Sequence, residues 1–103
     1  MNIEYRSEYR GPKVTFQYGG KAYLALTYAK MKSEPFTSQQ LKKCLSGAFP
    51  SVDSAGKALR VLEKNKCVER TGDGKWMITK TGHSVIIHFG QARKPAILTR
   101  GFG

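Results

Sequence analysis

Between residues 51 and 79 the hydrophobic period changes from helical to strand-like within one unbroken stretch, SVDSAGKALRVLEKNKCVERTGDGKWMIT. In its first half, Val52, Ala55, Leu59 and Leu62 recur at steps of three, four and three, so a helix over 51–64 buries them on one side. Ser54, Lys57, Arg60 and Lys64 then share the opposite side. Ser51 is a good N-cap, and Asp53 places negative charge at the positive end of the helix dipole. Asn65 is a residue type that adopts the left-handed conformation closing a helix.

In the second half the period falls to two. Residues 67–70 and 75–79 are short strands around Gly72-Asp73-Gly74. The loop length follows from the side chains. A two-residue turn at Asp73-Gly74 sets Val68 opposite Thr79 and sends Ile78 to the other face. A three-residue loop sets Val68 opposite Ile78 and Arg70 opposite Trp76, which gives one apolar face and is the register expected. A helix with a basic outer side followed directly by a basic-tipped hairpin suits a DNA reader.

With 103 residues the chain is long enough for one modest core. Its net charge of +11 favours a polyanionic partner, most simply nucleic acid. No apolar run is long enough to span a bilayer, and Met1 opens no secretory signal, so no membrane role is expected. Two cysteines without metal-ligand spacing suit a reducing compartment, and the cytoplasm is the expected location.

Residues 1–18 alternate: Ile3 and Tyr5 share one face, and Val14, Phe16 and Tyr18 form another run beyond Gly11-Pro12. This reads as a hairpin, or two strands around a loop, covering the core. Arg6, Arg10 and Lys13 also suit a basic arm that tracks a phosphate backbone or pairs with another subunit. After Gly19-Gly20, a helix is expected over 21–32, with Leu24, Tyr28 and Met31 on its buried stripe and Tyr23 and Thr27 at the edges. Pro35 stops it, and 34–36 suit a very short extended segment.

Thr37-Ser38-Gln39-Gln40 has the form of a capping box. It starts a second helix in which Leu41, Cys44, Leu45 and Ala48 point inward while Lys42 and Lys43 point away. Residues 47–50 make the turn into the helix at 51–64. Gly56, inside that helix, costs on the order of 1 kcal/mol relative to Ala; it fits a close approach to DNA or to the second helix, and equally a marginal helix stability that is simply tolerated. Trp76 falls on the apolar face of the hairpin as a cap on the core, with stacking on nucleic acid as its other role.

Residues 21–82 resemble a winged helix-turn-helix domain: helix, short strand, helix, turn, recognition helix, two-stranded wing. The phrase ALRVLEKNKCVERTGDGKWMITKTG is similar to the pattern that closes the recognition helix and forms the wing in many bacterial and phage regulators. Asn65-Lys66 departs from it, because such proteins often carry glycine at that helix end. The resemblance implies an α+β fold with a three-helix core, a small antiparallel sheet and a β-hairpin wing. Together with an arm at 1–18, which departs from the family pattern, and a basic, glycine-containing tail at 93–103 read as flexible, it gives a winged helix domain at 19–92. It also implies sequence-specific binding to double-stranded DNA in transcription regulation, commonly as a homodimer.

Under that resemblance, the major groove admits the helix at 51–64 and its exposed N-terminal half reads bases. Ser51, Ser54 and Lys57 are candidates for base edges, and Arg60 for a guanine or a phosphate, with Lys64 on the same side. Thr37, Ser38 and Gln39 offer backbone N–H groups and side chains to a phosphate, with Lys42 and Lys43 on the same short helix. Arg70 and Lys75 flank the wing tip and grip the sugar-phosphate edge. After Thr79, residues 83–90 fit either a helix or a strand. The resemblance favours a helix beginning near Thr81 and serving as a dimerisation element.

His83 and His88 are five apart and share no helix face, so with Cys44 and Cys67 they make no metal set. Only seven carboxylates are present, with no nucleophile elbow, P-loop or paired acids. Neither an enzyme nor a bound cofactor is expected. A second reading keeps the same fold as a protein-interaction module whose partner is a host enzyme or a ribonucleoprotein.

Overall fold

The computed structural model describes residue 9 and residues 11–92, with the backbone alone for 91 and 92. Ile3, Tyr5, Arg6 and Arg10 of the expected arm lie outside the described residues, as does the expected tail at 93–103. The described chain is a small α+β domain with four helices and one two-stranded antiparallel sheet. The order is α1 (Lys21–Lys32), α2 (Ser38–Cys44), α3 (Val52–Lys64), β1 (Val68–Arg70), β2 (Trp76–Ile78) and α4 (Lys80–Ala92).

Local chemistry sets where these helices begin. At α2 the Thr37 hydroxyl accepts from the Gln40 N–H (3.1 Å) and the Gln40 side chain accepts from the Thr37 N–H (2.9 Å). At α3 the Ser51 hydroxyl accepts from the Ser54 N–H (3.1 Å), and the Ser54 hydroxyl accepts in return from the Ser51 N–H (3.2 Å). At α4 the Thr79 hydroxyl accepts from the Gly82 N–H (3.1 Å) and donates to the Lys66 carbonyl (2.6 Å). That second bond ties the start of α4 to the exit of α3. Gly82 rests so close to the Cys67 carbonyl that a Cβ there would collide with it.

The end of α3 differs from expectation. Asn65 keeps a negative φ of −89°, and Lys66 takes the left-handed conformation with φ 65°. The Cys67 N–H returns to the Leu62 carbonyl (2.8 Å) and the Lys66 N–H to the Glu63 carbonyl (2.9 Å). This paired arrangement requires the left-handed residue one position beyond the C-cap. The Asn65 amide meanwhile donates to the Val61 carbonyl (2.8 Å) and to the Thr15 hydroxyl (3.0 Å). Its carbonyl oxygen accepts from the Thr15 N–H (3.0 Å).

The hairpin has the expected register: Val68 opposite Ile78, Glu69 opposite Met77, Arg70 opposite Trp76. Its loop is closed by Thr71 N–H to the Lys75 carbonyl (2.8 Å), with Gly74 at φ 82° in the one position that needs positive φ. Phe36 extends the sheet by a single bridge, exchanging hydrogen bonds with Trp76 (2.9 and 2.8 Å). The short extended segment expected at 34–36 is therefore real, though confined to one residue.

The core lies between α1, α2 and α3, with the sheet and α4 closing it. Ala55, Leu59 and Leu62 of α3 are buried as expected, and Ala58 joins them. Val52 is 40% exposed instead, because it sits in the first turn at the rim of the core. The α1 stripe is turned from the expected one. Ala25, Leu26, Tyr28 and Ala29 are buried, Leu24 is half-buried, and Met31 is 80% exposed. Buried alanines on both α1 and α3 suit a close crossing of the two helices. On α2, Leu41 is buried, but Cys44 is exposed and Leu45 and Ala48 are half-buried, since this helix ends at Cys44.

Two side chains from connecting segments, Phe36 and Phe49, are fully buried. Residues 11–18 form no strand. Val14 and Phe16 nonetheless pack against the core. Residues 80–92 are helical, and Val85 is their buried anchor. No helix among the described residues is long and apolar enough to cross a membrane.

Candidate nucleic-acid interface

Burial of Ala55, Ala58, Leu59 and Leu62 fixes which side of α3 faces outward. Positions 53, 57, 60 and 64, spaced by four, three and four, form that outer side, and Asp53, Lys57, Arg60 and Lys64 are all exposed. Among the described residues, Lys57, Arg60 and Lys64 are in no ion pair. Three cations thus stand on one rigid cylinder with no internal partner, and Asp53 stands at their N-terminal end.

Ser51 and Ser54, expected to read bases, are held in the helix cap. The Ser54 hydroxyl accepts from Ser51 N–H and donates to the Ser51 carbonyl (2.8 Å). The Ser51 oxygen is likewise engaged with Ser54 N–H. Ser54 also faces sideways, into an open groove that it lines with Lys21, Ala22, Lys57, Ala58 and Val61. Sequence reasoning missed Lys21 here. It is the first residue of α1, and only the packing of α1 on α3 brings it beside Lys57.

Thr37 is in the same position as the serines, with its hydroxyl and its N–H both used in the α2 cap. Ser38 is half-buried and Gln39 exposed. Lys42 is half-buried and Lys43 exposed in the last turn of α2, and no ion pair among the described residues involves either.

The cations of the hairpin have partners already. The Arg70 guanidinium lies over the Trp76 ring, 4.5 Å from its centroid, and its Nε is 3.5 Å from a Glu63 carboxylate oxygen. Trp76 is buried beneath it, so its ring caps the core and its outer face is covered by Arg70. At the tip, Lys75 Nζ is 3.8 Å from an Asp73 carboxylate oxygen. A hydrogen bond from the Thr71 hydroxyl, aided by the Lys75 charge, holds the Asp73 carboxyl below the usual aspartate range. Lys66, also missed from the sequence, is exposed and lines the cleft between the end of α3 and β1 with Glu63, Glu69 and Arg70.

Gly56 has open space where a side chain would start, so it makes no close approach to the second helix. Burial pushes the Cys67 thiol up to about 11, which keeps it protonated and unreactive. His83 is exposed, and His88 Nδ1 lies 2.9 Å from the Ser84 carbonyl within α4. No group of three His, Cys, Asp or Glu side chains among the described residues is placed to hold a metal ion. Comparison of the chain with protein-family models, with curated proteins and with solved structures gave no match.

Proposed function

We propose that this protein binds double-stranded DNA at preferred sequences, laying the outer side of α3 along the major groove, and that it acts as a transcription regulator. The observation that carries this is the row Lys57, Arg60 and Lys64, exposed and, among the described residues, free of ion pairs on a helix whose opposite side is sealed into the core. A major groove accommodates one such cylinder, and cations without internal partners break no protein contact when they meet phosphates or guanines. The hairpin that follows α3, with Phe36 bridged to its second strand, supports assigning the domain to the winged helix class. In that assignment α3 is the recognition helix and the β1–β2 hairpin the wing.

The test is binding of the whole chain to labelled duplex at several salt concentrations, followed by selection from a random duplex pool. The expected result is an affinity that falls linearly with salt on logarithmic axes. The selected site should bind more tightly than bulk DNA by roughly 10³-fold or more. Salt-independent binding, or binding with no preferred site, overturns the proposal. The second of these, together with a stable complex with another protein, is the behaviour of an interaction module.

A further inference from the structure

The outer side of α3 also restricts which bases it can read. Resting on the DNA-binding reading above, we infer that α3 recognises G·C pairs. Lys57 and Arg60 donate to guanine edges, and Asp53 accepts from the amino group of a cytosine.

The Ser54 hydroxyl both accepts and donates within the cap, and the Ser51 hydroxyl accepts there from the Ser54 N–H, which holds both side chains at the helix start. Val52 precedes the buried Ala55 and Leu59 by three and seven residues, so it lies at the edge of the core stripe and away from the outer row. Between Val52 and Lys64 there is no asparagine or glutamine. Adenine presents an acceptor and a donor side by side in the major groove, and an amide is the side chain that matches both. That match is absent from α3.

Guanine presents two acceptors, N7 and O6, and lysine and arginine only donate. Cytosine presents a lone amino donor, and an ionised carboxylate only accepts. A carboxylate aimed at the adenine amino group would also meet the lone pair of the neighbouring N7, so cytosine is the better partner for Asp53. Asp53 is exposed, and among the described residues no hydrogen bond or ion pair engages its side chain. It stands one turn from Lys57 on the side that would face a polyanion, where a negative charge without a donor to meet is unfavourable.

Spacing limits the length of the site. At about 1.5 Å per residue, Asp53 and Arg60 are separated by roughly 10 Å along the helix, which is about three base steps of 3.4 Å. Gly56 lies among them, with nothing within 4 Å of where its Cβ would be, so the helix backbone is open to the base edges at that point. The three side chains therefore address a run of about four base pairs.

Selection from a random duplex pool tests this with the whole wild-type chain and with Asp53→Asn. Wild type should enrich a short G·C run. Asp53→Asn should replace cytosine by adenine at one position and leave the neighbouring guanines. Its preference for the wild-type site over the adenine-substituted one should fall by about 5- to 150-fold, the value of one good base contact. Its affinity for bulk DNA should rise, since a repelling charge is gone. A role for Asp53 confined to the helix dipole would lower thermal stability and leave the enriched sequence unchanged. That outcome overturns the inference, as does an A·T-rich site for wild type, which can be read even if the variant does not fold. Absence of salt-dependent duplex binding by wild type removes the DNA-binding reading itself.

Discussion

The outer side of α3 and the wing are both basic, but they differ in what their charges already touch. Lys57, Arg60 and Lys64 are exposed and unpaired among the described residues. Arg70 is shared between the Trp76 ring and Glu63, and Lys75 is beside Asp73. An exposed ion pair is worth about 0–1 kcal/mol and an exposed cation–ring contact about 0.5–1 kcal/mol. These are small, yet a wing cation must give them up before it meets a phosphate. Counting lysines and arginines treats the two surfaces as equals. Under the proposed DNA-binding reading, their neighbours favour α3 as the reader and leave the hairpin a weaker grip.

Removing charge from each surface in turn separates their contributions. Lys57→Ala with Arg60→Ala should weaken binding to the selected duplex by about 2–6 kcal/mol, at 1–3 kcal/mol for each base contact, and erase site preference. Arg70→Ala with Lys75→Ala should weaken all duplexes alike, by about 1 kcal/mol or less, and leave site preference unchanged. Fluorescence anisotropy with cognate and scrambled duplexes measures both, and equal losses would abolish the distinction. Leu59→Ala strikes the scaffold that aims α3. It should cost about 2–5 kcal/mol of stability in urea unfolding, because Leu59 is fully buried.

Gly56→Ala separates fold from function. Open space at Gly56 means that alanine should stabilise the free protein by about 0.5–1 kcal/mol in thermal unfolding. The added methyl group at the open part of the outer row should at the same time lower affinity for the selected duplex. The smallest effect is expected at the junction of the two surfaces. Lys66 holds φ at 65°, so Lys66→Gly relieves a left-handed side chain. Because glycine also gains freedom in the unfolded chain, the net stabilisation should be only about 0.5 kcal/mol, again by thermal unfolding.

Much of this arrangement was legible where a local rule acts over a few residues. Thr37 with Gln40 announced a reciprocal cap, and the structure has it. The register placing Val68 opposite Ile78 followed from asking which loop length keeps the apolar side chains together. That same register set Arg70 opposite Trp76, so the ring contact had a sequence signal that charge counting overlooked. The buried stripe of α3 was readable because polar and apolar residues segregate sharply around it.

In α1 they do not segregate. YLALTYAKM is apolar on nearly every side, so its period could not choose between Met31 and the alanines. Phe36 and Phe49 were invisible for another reason: a single aromatic residue in a short connection has no period at all. The strand pattern read at 14–18 also failed. That segment is held by Asn65 bonds to Thr15 and by Val14 and Phe16 against the core, without a partner strand among the described residues. Phe89 gathers the rings of Tyr9, Phe16, Tyr18 and Tyr23 around it, a cluster drawn from three parts of the chain.

By itself, the sequence determined the basic charge, the helix starts, the hairpin register and the side of α3 that points away from the core, because each depends on neighbours a few positions apart. Tertiary structure alone decided which face of α1 is buried, that Asn65 is bonded to Thr15, and that Lys21 stands beside Lys57. Those outcomes depend on groups far apart in the chain meeting in space, and hydrophobic burial brings them together without regard to their separation in sequence.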